Sequence, residues 1–507
     1  MQEPATQHPD IGDDSGLRRL ANSVIWPGFR GRTLPAWAED ALRDGLAGLV
    51  YFEQNIGGPE ETRALSARIH QLNPAGLIGV DEEGGIVTRL ESRDGSSTPG
   101  NAVLGRVDDI ALTERVSVWT GELVAAAGID VDLAPTVDVN VDPRNPVIGV
   151  RSFGADPDLV SRHSVAAVRG LQSAGVAACV KHYPGHGDTS TDSHLALAVS
   201  NASDAQFHDV HLRPFAEAVA AGTKAVMTAH LRVPQLGDEP ATLNPRALGL
   251  LRSLGFDGVI VSDALDMAAI RHTVGMGRGA VLALLAGVDL LCVGNPASNP
   301  AHPDGPTDEM EYREVRDALV AALRSGELPA ARVEEAARRI AELAAWVRVQ
   351  RHRDAVPAVP ELDAIVSAAL DVAGAPRLGP GQLTVVDART KRNIAVGAQA
   401  DHFTRALSAH REVERVWLTD ACSAADAARR AADVLGAATA PVLIVNQVQS
   451  NALEAAVLDA VIAKRPDTVV IVAGWPPPEA AAPGLNAVYA YGSARINAAA
   501  VARVLCP

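Results

Sequence analysis

Aromatic side chains are scarce in this chain, at 4% of 507 residues, while hydrophobic residues as a whole make up 47%. The apolar content is therefore mostly Ala, Val and Leu, which suits helices packed over aliphatic strands rather than an aromatic-rich β-sandwich. Cysteine is equally sparse: Cys179, Cys292, Cys422 and Cys506 lie far apart, with no CxxC spacing. That excludes a zinc ribbon and a disulfide framework, and places Cys179 and Cys292, which sit in apolar runs, in the core. No block of basic residues interrupts a formal net charge of −16, so neither nucleic acid nor an anionic membrane surface is expected as a partner. No apolar run reaches the ~20 residues of a membrane span. Residues 1–16 are polar and acidic and lack the basic and apolar regions of a secretion signal, so the expected location is cytoplasmic.

From Leu17 to about Val349, short aliphatic runs alternate with helical segments. Eight runs can be counted, at Ala21–Ile25, Gly48–Phe52, Leu77–Val80, Val131–Val137, Val176–Val180, Ala225–Ala229, Gly258–Val261 and Val288–Val293. Val165, Val168 and Leu171 recur at helical spacing before the fifth run and stop at Gly175; Val333, Ile340, Leu343 and Val347 form a stripe after the eighth. Eight βα units in about 330 residues point to a (β/α)8 barrel, in which catalytic groups come from the carboxyl ends of several strands. Domain limits follow: a catalytic barrel over 1–350, a linker over 351–362 carrying Arg, His, Asp and Pro, and a smaller three-layer α/β domain over 363–507. In the last, runs at Leu383–Val386, Val413–Thr419, Val442–Asn446, Val469–Ala473 and Ala487–Tyr489 alternate with Ala-rich helices. It contains neither a GxGxxG nor a P-loop match, so no nucleotide cofactor is expected.

Ionisable residues gather just past the barrel runs. Asp81, Glu82, Glu83 and Arg89 follow the third, Asp138, Asn140, Asp142, Arg144 and Arg151 the fourth, His230 the sixth and Ser262-Asp263 the seventh. The fifth run leads into a loop holding His182, His186, Asp188, Asp192 and His194 within 13 residues. An Asp at a barrel strand's end suits a nucleophile that leaves a covalent ester, and equally a cap for the following helix. Asp192, two residues before His194, can fix that imidazole's tautomer and make it a general acid/base; satisfied surface histidines or a metal site are the rival readings of the same loop. HExxH spacing is absent and Lys181 beside His182 would repel a cation, so no metal is expected. Lys181, Arg89 and Arg151 either form ion pairs with Asp81, Glu82 or Glu83, or together grip the hydroxyls of a sugar.

Four motifs in order, Val80-Asp81-Glu82-Glu83-Gly84-Gly85-Ile86-Val87-Thr88-Arg89-Leu90, then Val147-Ile148-Gly149-Val150-Arg151-Ser152-Phe153-Gly154, then Lys181-His182-Tyr183-Pro184-Gly185-His186-Gly187-Asp188-Thr189-Ser190-Thr191-Asp192-Ser193-His194, then Val261-Ser262-Asp263-Ala264-Leu265-Asp266-Met267, resemble glycoside hydrolase family 3, in its β-N-acetylglucosaminidase subgroup. The resemblance implies Asp263 as nucleophile, His194 as acid/base and Asp192 as its dyad partner. Asp81, Arg89, Arg151, Lys181 and His182 then fall on sugar-binding positions. It further implies a retaining, cofactor-free exo-β-N-acetylglucosaminidase (β-N-acetylhexosaminidase) acting on cell-wall or chitin-derived oligosaccharides. Two alternatives stand beside that reading: a phosphorylase using inorganic phosphate as acceptor, and a non-catalytic sugar-binding protein, which the presence of both Asp263 and His194 disfavours. Ile86 departs from the family, which often carries Arg there, and the second domain is absent from the shortest members.

Overall fold

The structure is a computed structural model describing residues 14–189, 197–296, 307–350, 361–389, 401–418, 423–476 and 485–506. The eight aliphatic runs supply eight parallel strands: β1 (Ile25–Trp26), β2 (Gly48–Tyr51), β3 (Leu77–Val80), β4 (Val131–Asp132), β5 (Ala177–Tyr183), β6 (Ala225–Thr228), β7 (Val259–Val261) and β8 (Leu291–Cys292). β2 to β7 form one sheet in sequence order, and β8 pairs with β1. Parallel bridges Val261↔Leu290 and Gly28↔Val50 join the two sets. The ring closes as a (β/α)8 barrel, so no strand edge is left for another chain to pair with. The first run differs from expectation, because Ala21 and Asn22 end a helix, Asp14–Asn22, and the strand begins only at Ile25.

The strands are buried on both faces, which is why they read as continuous aliphatic runs rather than alternating ones. Trp26 lies fully buried, its indole N–H donating to the Leu77 carbonyl at 2.8 Å. Gly79 makes room for it, since a Cβ there would stand 2.3 Å from the indole ring. Of the first expected helical stripe Val168 and Leu171 are buried on Pro157–Ser173 and Val165 is half-buried; of the second, Val333, Ile340, Leu343 and Val347 are all buried on Ala330–Gln350. Cys179 and Cys292 are buried free thiols, as their runs implied. Just before β8, buried Asp289 binds Arg252 at 2.6 Å, Arg332 at 2.9 Å and Arg339 at 3.3 Å. These residues sit at the amino-terminal end of the strands, where a barrel keeps structural rather than catalytic charge.

The second sheet has six strands: β9 (Asp371–Ala373), β10 (Leu383–Asp387), β11 (Val413–Trp417), β12 (Ala440–Val445), β13 (Val469–Val472) and β14 (Asn486–Tyr489). Their order is β9-β14-β13-β12-β10-β11, parallel throughout except for β9. Five match expectation, and β9 is additional. Helices Ala424–Ala437 and Ala452–Lys464 pack together, while Asp363–Ala369 and His402–Ser408 each pack on Arg495–Leu505. Residues 351–360 of the expected linker lie outside the described residues.

One hydrophobic core belongs to the barrel alone, whereas the second combines this sheet with barrel residues Val103, Leu104, Leu112, Val116 and Phe153. A continuous apolar core across that junction fixes the sheet to one flank of the barrel. Arg106 reaches across it, pairing with Asp371 and stacking over the Tyr491 ring at 5.9 Å. No helix of the described residues is long and apolar enough to cross a membrane.

Candidate active site

The carboxyl ends of β3, β4 and β5 converge on a buried charged cluster. Lys181, near the end of β5, places its ammonium 2.6 Å from Asp81 Oδ1 and 2.7 Å from Glu83 Oε1, both just past β3. Arg151, carried by the short 3-10 turn Gly149–Arg151, grips Glu83 with two donors, Nε to Oε2 at 3.0 Å and Nη2 to Oε1 at 2.6 Å. The Thr136 hydroxyl also donates to Glu83, at 3.1 Å. Arg89 Nη2 lies 3.6 Å from Asp81 Oδ2.

Five charges so close together survive burial because each faces an opposite one. Burial alone would push the Asp81 and Glu83 carboxyls up, but Lys181 and Arg89 hold Asp81 below the usual range. Arg151 and Lys181 hold Glu83 far below it. Burial would likewise lower Lys181, yet Asp81 and Glu83 keep it above its usual value. The cluster therefore stays ionised through neutral pH, as fixed donors and acceptors for a polyhydroxylated ligand.

His182 is held just as firmly. Its Nδ1 stands 2.8 Å from Asp138 Oδ2, and its backbone N–H donates to the same oxygen at 3.2 Å. The other Asp138 oxygen accepts the His186 backbone N–H at 2.7 Å. With a carboxylate at Nδ1, the ring proton sits on that nitrogen and is donated to Asp138, leaving Nε2 as the acceptor for Arg151 Nη2, 3.3 Å away. Asp138 thus orients His182 while Arg151 ties it to the Glu83 side of the cluster.

Asp263 follows β7 and is half-buried, its Oδ1 accepting the Ala264 backbone N–H at 2.8 Å. The helix-cap alternative does not hold, because the next helix, Ala268–Arg271, begins after Met267. His230 braces the same turn from below: its Nε2 meets the Ala264 carbonyl at 2.9 Å and its Nδ1 the Thr242 hydroxyl at 2.9 Å. Both nitrogens of this fully buried ring are committed, which makes it structural. Burial first, and then the charges of Asp81, Asp132 and Asp263, push the Cys179 thiol far up, with Lys181 opposing.

Asp192 and His194 lie outside the described residues, which stop at Thr189 and resume at Leu197. The flanks of that segment are firmly built. Asp188 accepts the Ser200 hydroxyl and the Asn201 N–H, each at 2.8 Å. Thr189 bonds His186 Nδ1 at 2.8 Å, and Asn145 donates to the His186 carbonyl at 2.8 Å. Gly187 presses on the fourth βα loop so closely that a Cβ would sit 1.8 Å from the Val139 carbonyl oxygen.

Sequence reasoning named Asp81, Arg89, Arg151, Lys181 and His182, and the structure gathers all five. It did not give Glu83 or Asp138 a place in the site, although both bind residues it named. Glu83 was legible only as one of two adjacent glutamates, and Asp138 as one of several polar residues past β4. Ile86 packs on the core shared with the second sheet and lines, with Glu83, Arg151, Tyr491 and Gly492, a small cavity. The second domain therefore reaches the back of the Glu83–Arg151 pair at the position where the motif departs from its relatives.

Glu82 faces the other way. Burial pushes its carboxyl up to about 7, against hydrogen bonds from Thr88, Leu90 and Arg89. An acid whose folded value exceeds the ordinary 4.5 stabilises the fold below that value and progressively less as pH rises toward 7. For this one group the loss is roughly 3 kcal/mol. Glu82→Gln removes the titration, so the melting temperature of the variant relative to wild type should climb between pH 5 and 7.5. A pH-independent difference would contradict the assignment.

Three comparisons with known proteins bear on this site. Residues 32–343 match the family model described as Glycosyl hydrolase family 3 N terminal domain. A beta-hexosaminidase of Stenotrophomonas maltophilia is 38% identical over 280 residues, covering 53% of this chain and 82% of that protein. The solved structure of a glycoside hydrolase family 3 beta-N-acetylglucosaminidase from Paenibacillus sp. superposes with a TM-score of 0.84 at 32% identity, over 97% of this chain and 96% of that one. A second solved structure, a beta-N-acetylhexosaminidase from Beutenbergia cavernae, covers 65% of this chain and 98% of its own at 27% identity and a TM-score of 0.58.

Proposed function

The chain belongs to glycosyl hydrolase family 3 and is a glycoside hydrolase that removes N-acetylglucosamine; we propose that it acts on terminal β-linked residues, with retention, through a glycosyl ester on Asp263. The observation that carries the reading is the cluster of Lys181, Asp81, Arg151, Glu83 and His182 at the strand ends that also present Asp263. Fixed, alternating donors and acceptors of this kind suit a ring of hydroxyls, and a carboxylate beside them suits the anomeric carbon.

In the proposed first step an Asp263 oxygen bonds to the anomeric carbon as the glycosidic C–O bond breaks, and His194 gives its proton to the departing oxygen. In the second, His194 takes a proton from water, whose oxygen displaces Asp263 and restores the β configuration. Asp192 supports the imidazolium that donates the first proton and is regenerated by the second transfer. Asp81, Arg89, Arg151, Lys181 and His182 hold the sugar, and no metal or organic cofactor enters either step. We propose small cell-wall or chitin-derived oligosaccharides, met in the cytoplasm, as substrates.

The test is product analysis with p-nitrophenyl N-acetyl-β-glucosaminide in the presence and absence of inorganic phosphate. Free N-acetylglucosamine in both conditions is the expected result. A sugar 1-phosphate would mean that phosphate replaces water as acceptor, and no turnover would leave only a sugar-binding role. His194→Ala should slow unactivated disaccharides by ~10²–10⁴-fold and aryl substrates with good leaving groups far less in their first step. Equal losses on both would count against His194 as the acid.

A further inference from the structure

The three consecutive acids after β3 do not share one task. Asp81 and Glu83 meet the cations of the cluster, whereas Glu82 between them turns into the protein and is 1% exposed. Its backbone N–H donates to Asp132 Oδ1 at 3.0 Å. Its Oε2 accepts the backbone N–H groups of Arg89 at 2.8 Å and Leu90 at 2.9 Å, and its carboxylate also takes a bond from the Thr88 side chain. Between Glu82 and these partners the chain makes a tight reversal through Gly84 and Gly85, at φ +77° and +60°, with Gly84 bridged to Val87. One carboxylate thus ties the start of this turn to its end. Arg89, the residue tied there, is 5% exposed and directs its guanidinium back to Asp81.

We propose that Glu82 is a positioning residue for Arg89, holding its backbone while Asp81 meets its guanidinium, so that the arginine stands ready for the sugar before binding. This rests on the reading of Arg89 as a sugar contact. Among the described residues the Glu82 carboxylate bonds to the backbone of Arg89 and Leu90 and to Thr88, not to the charged groups of the cluster. Its effect must pass through the arginine, because the N–H groups it holds belong to that residue and the next.

The test is a double-mutant cycle with Glu82→Ala, Glu82→Gln and Arg89→Ala, with KM and kcat for p-nitrophenyl N-acetyl-β-glucosaminide measured well below the melting temperature of every variant. Arg89→Ala should raise KM at least ~10-fold, Glu82→Ala should raise it by a similar factor with kcat changed less than ~3-fold, and Glu82→Ala on the Arg89→Ala background should add less than ~2-fold. Glu82→Gln, whose amide oxygen accepts the same two N–H groups, should restore KM to near the wild-type value. A general loosening of the loop would lower the melting temperature without this pattern in KM. Full additivity of the two alanine variants overturns the positioning role and leaves the sugar contact standing. An unchanged KM in Arg89→Ala overturns the sugar contact and the positioning role together. Should Glu82→Ala not fold, Glu82→Asp, which withdraws the carboxylate by one methylene, gives the same readout.

Discussion

Asp263→Ala is expected to lower turnover of p-nitrophenyl N-acetyl-β-glucosaminide by at least ~10⁴-fold, because the covalent step loses its nucleophile outright rather than a share of transition-state stabilisation. Circular dichroism of the variant, read alongside, keeps the comparison to folded protein. Asp263 is half-buried, and its Oδ1 accepts the backbone N–H of the neighbouring Ala264. The turn itself is held by His230 from beneath. Azide supplies the discriminating result: in the variant it should displace p-nitrophenolate directly at the anomeric carbon, with inversion, giving the α-glycosyl azide and partly restoring the rate. Loss of activity without azide rescue, or residual turnover within ~100-fold of wild type, would remove Asp263 from the role. A slow fluorosugar that labels another side chain in the wild-type enzyme would do the same.

That expectation was open to reading because barrel chemistry has an address. A parallel strand buried on both faces must be aliphatic, so its last apolar residue is visible, and what comes next lies at the carboxyl end of the ring. Lys181, Asp81 and Asp263 are all found that way. The same logic fails where direction rather than position matters. Glu82 and Glu83 are identical neighbours, and only the turn through Gly84 and Gly85 decides that one meets Arg151 and the other the backbone of Arg89.

Asp138 was hidden for a different reason. It stands six residues beyond β4, in a loop rich in polar side chains, and its partner His182 is 44 positions away. Nothing local distinguishes it from Asn140 or Asp142. Strand β9 shows the matching limit on fold: three residues, one half-covered, one exposed and one buried, are too few to carry a pattern of their own, and they become a strand only by pairing antiparallel with Asn486–Tyr489. At the first run, apolar composition could not separate the end of a helix from the start of a strand, so Ala21 was read into β1.

Replacing Glu83 by Leu should destabilise the protein more than any other single change in the cluster, by about 3–5 kcal/mol, since it removes one partner from a buried ionic group and strands the other. The two cations do not suffer equally. Lys181 keeps Asp81 at 2.6 Å, whereas both carboxylate bonds of Arg151 go to Glu83. Arg151 is left with the Val147 carbonyl at 3.2 Å and His182 Nε2 at 3.3 Å, neither of which carries charge. The stranded guanidinium is therefore the larger part of the loss. Adding Arg151→Met to Glu83→Leu should recover much of the stability while abolishing sugar binding, an outcome additive contributions cannot produce. Acid supplies an independent check on sign: a carboxyl held far below its ordinary 4.5 stabilises the fold fully above that pH and progressively less below it. Denaturant melts of wild type and Glu83→Gln should thus differ by a constant amount from pH 6 to 8 and converge as the pH falls below about 4.5. A double variant as unstable as Glu83→Leu, or a gap that widens in acid, would show that the Glu83–Arg151 pair is not what holds these strand ends together.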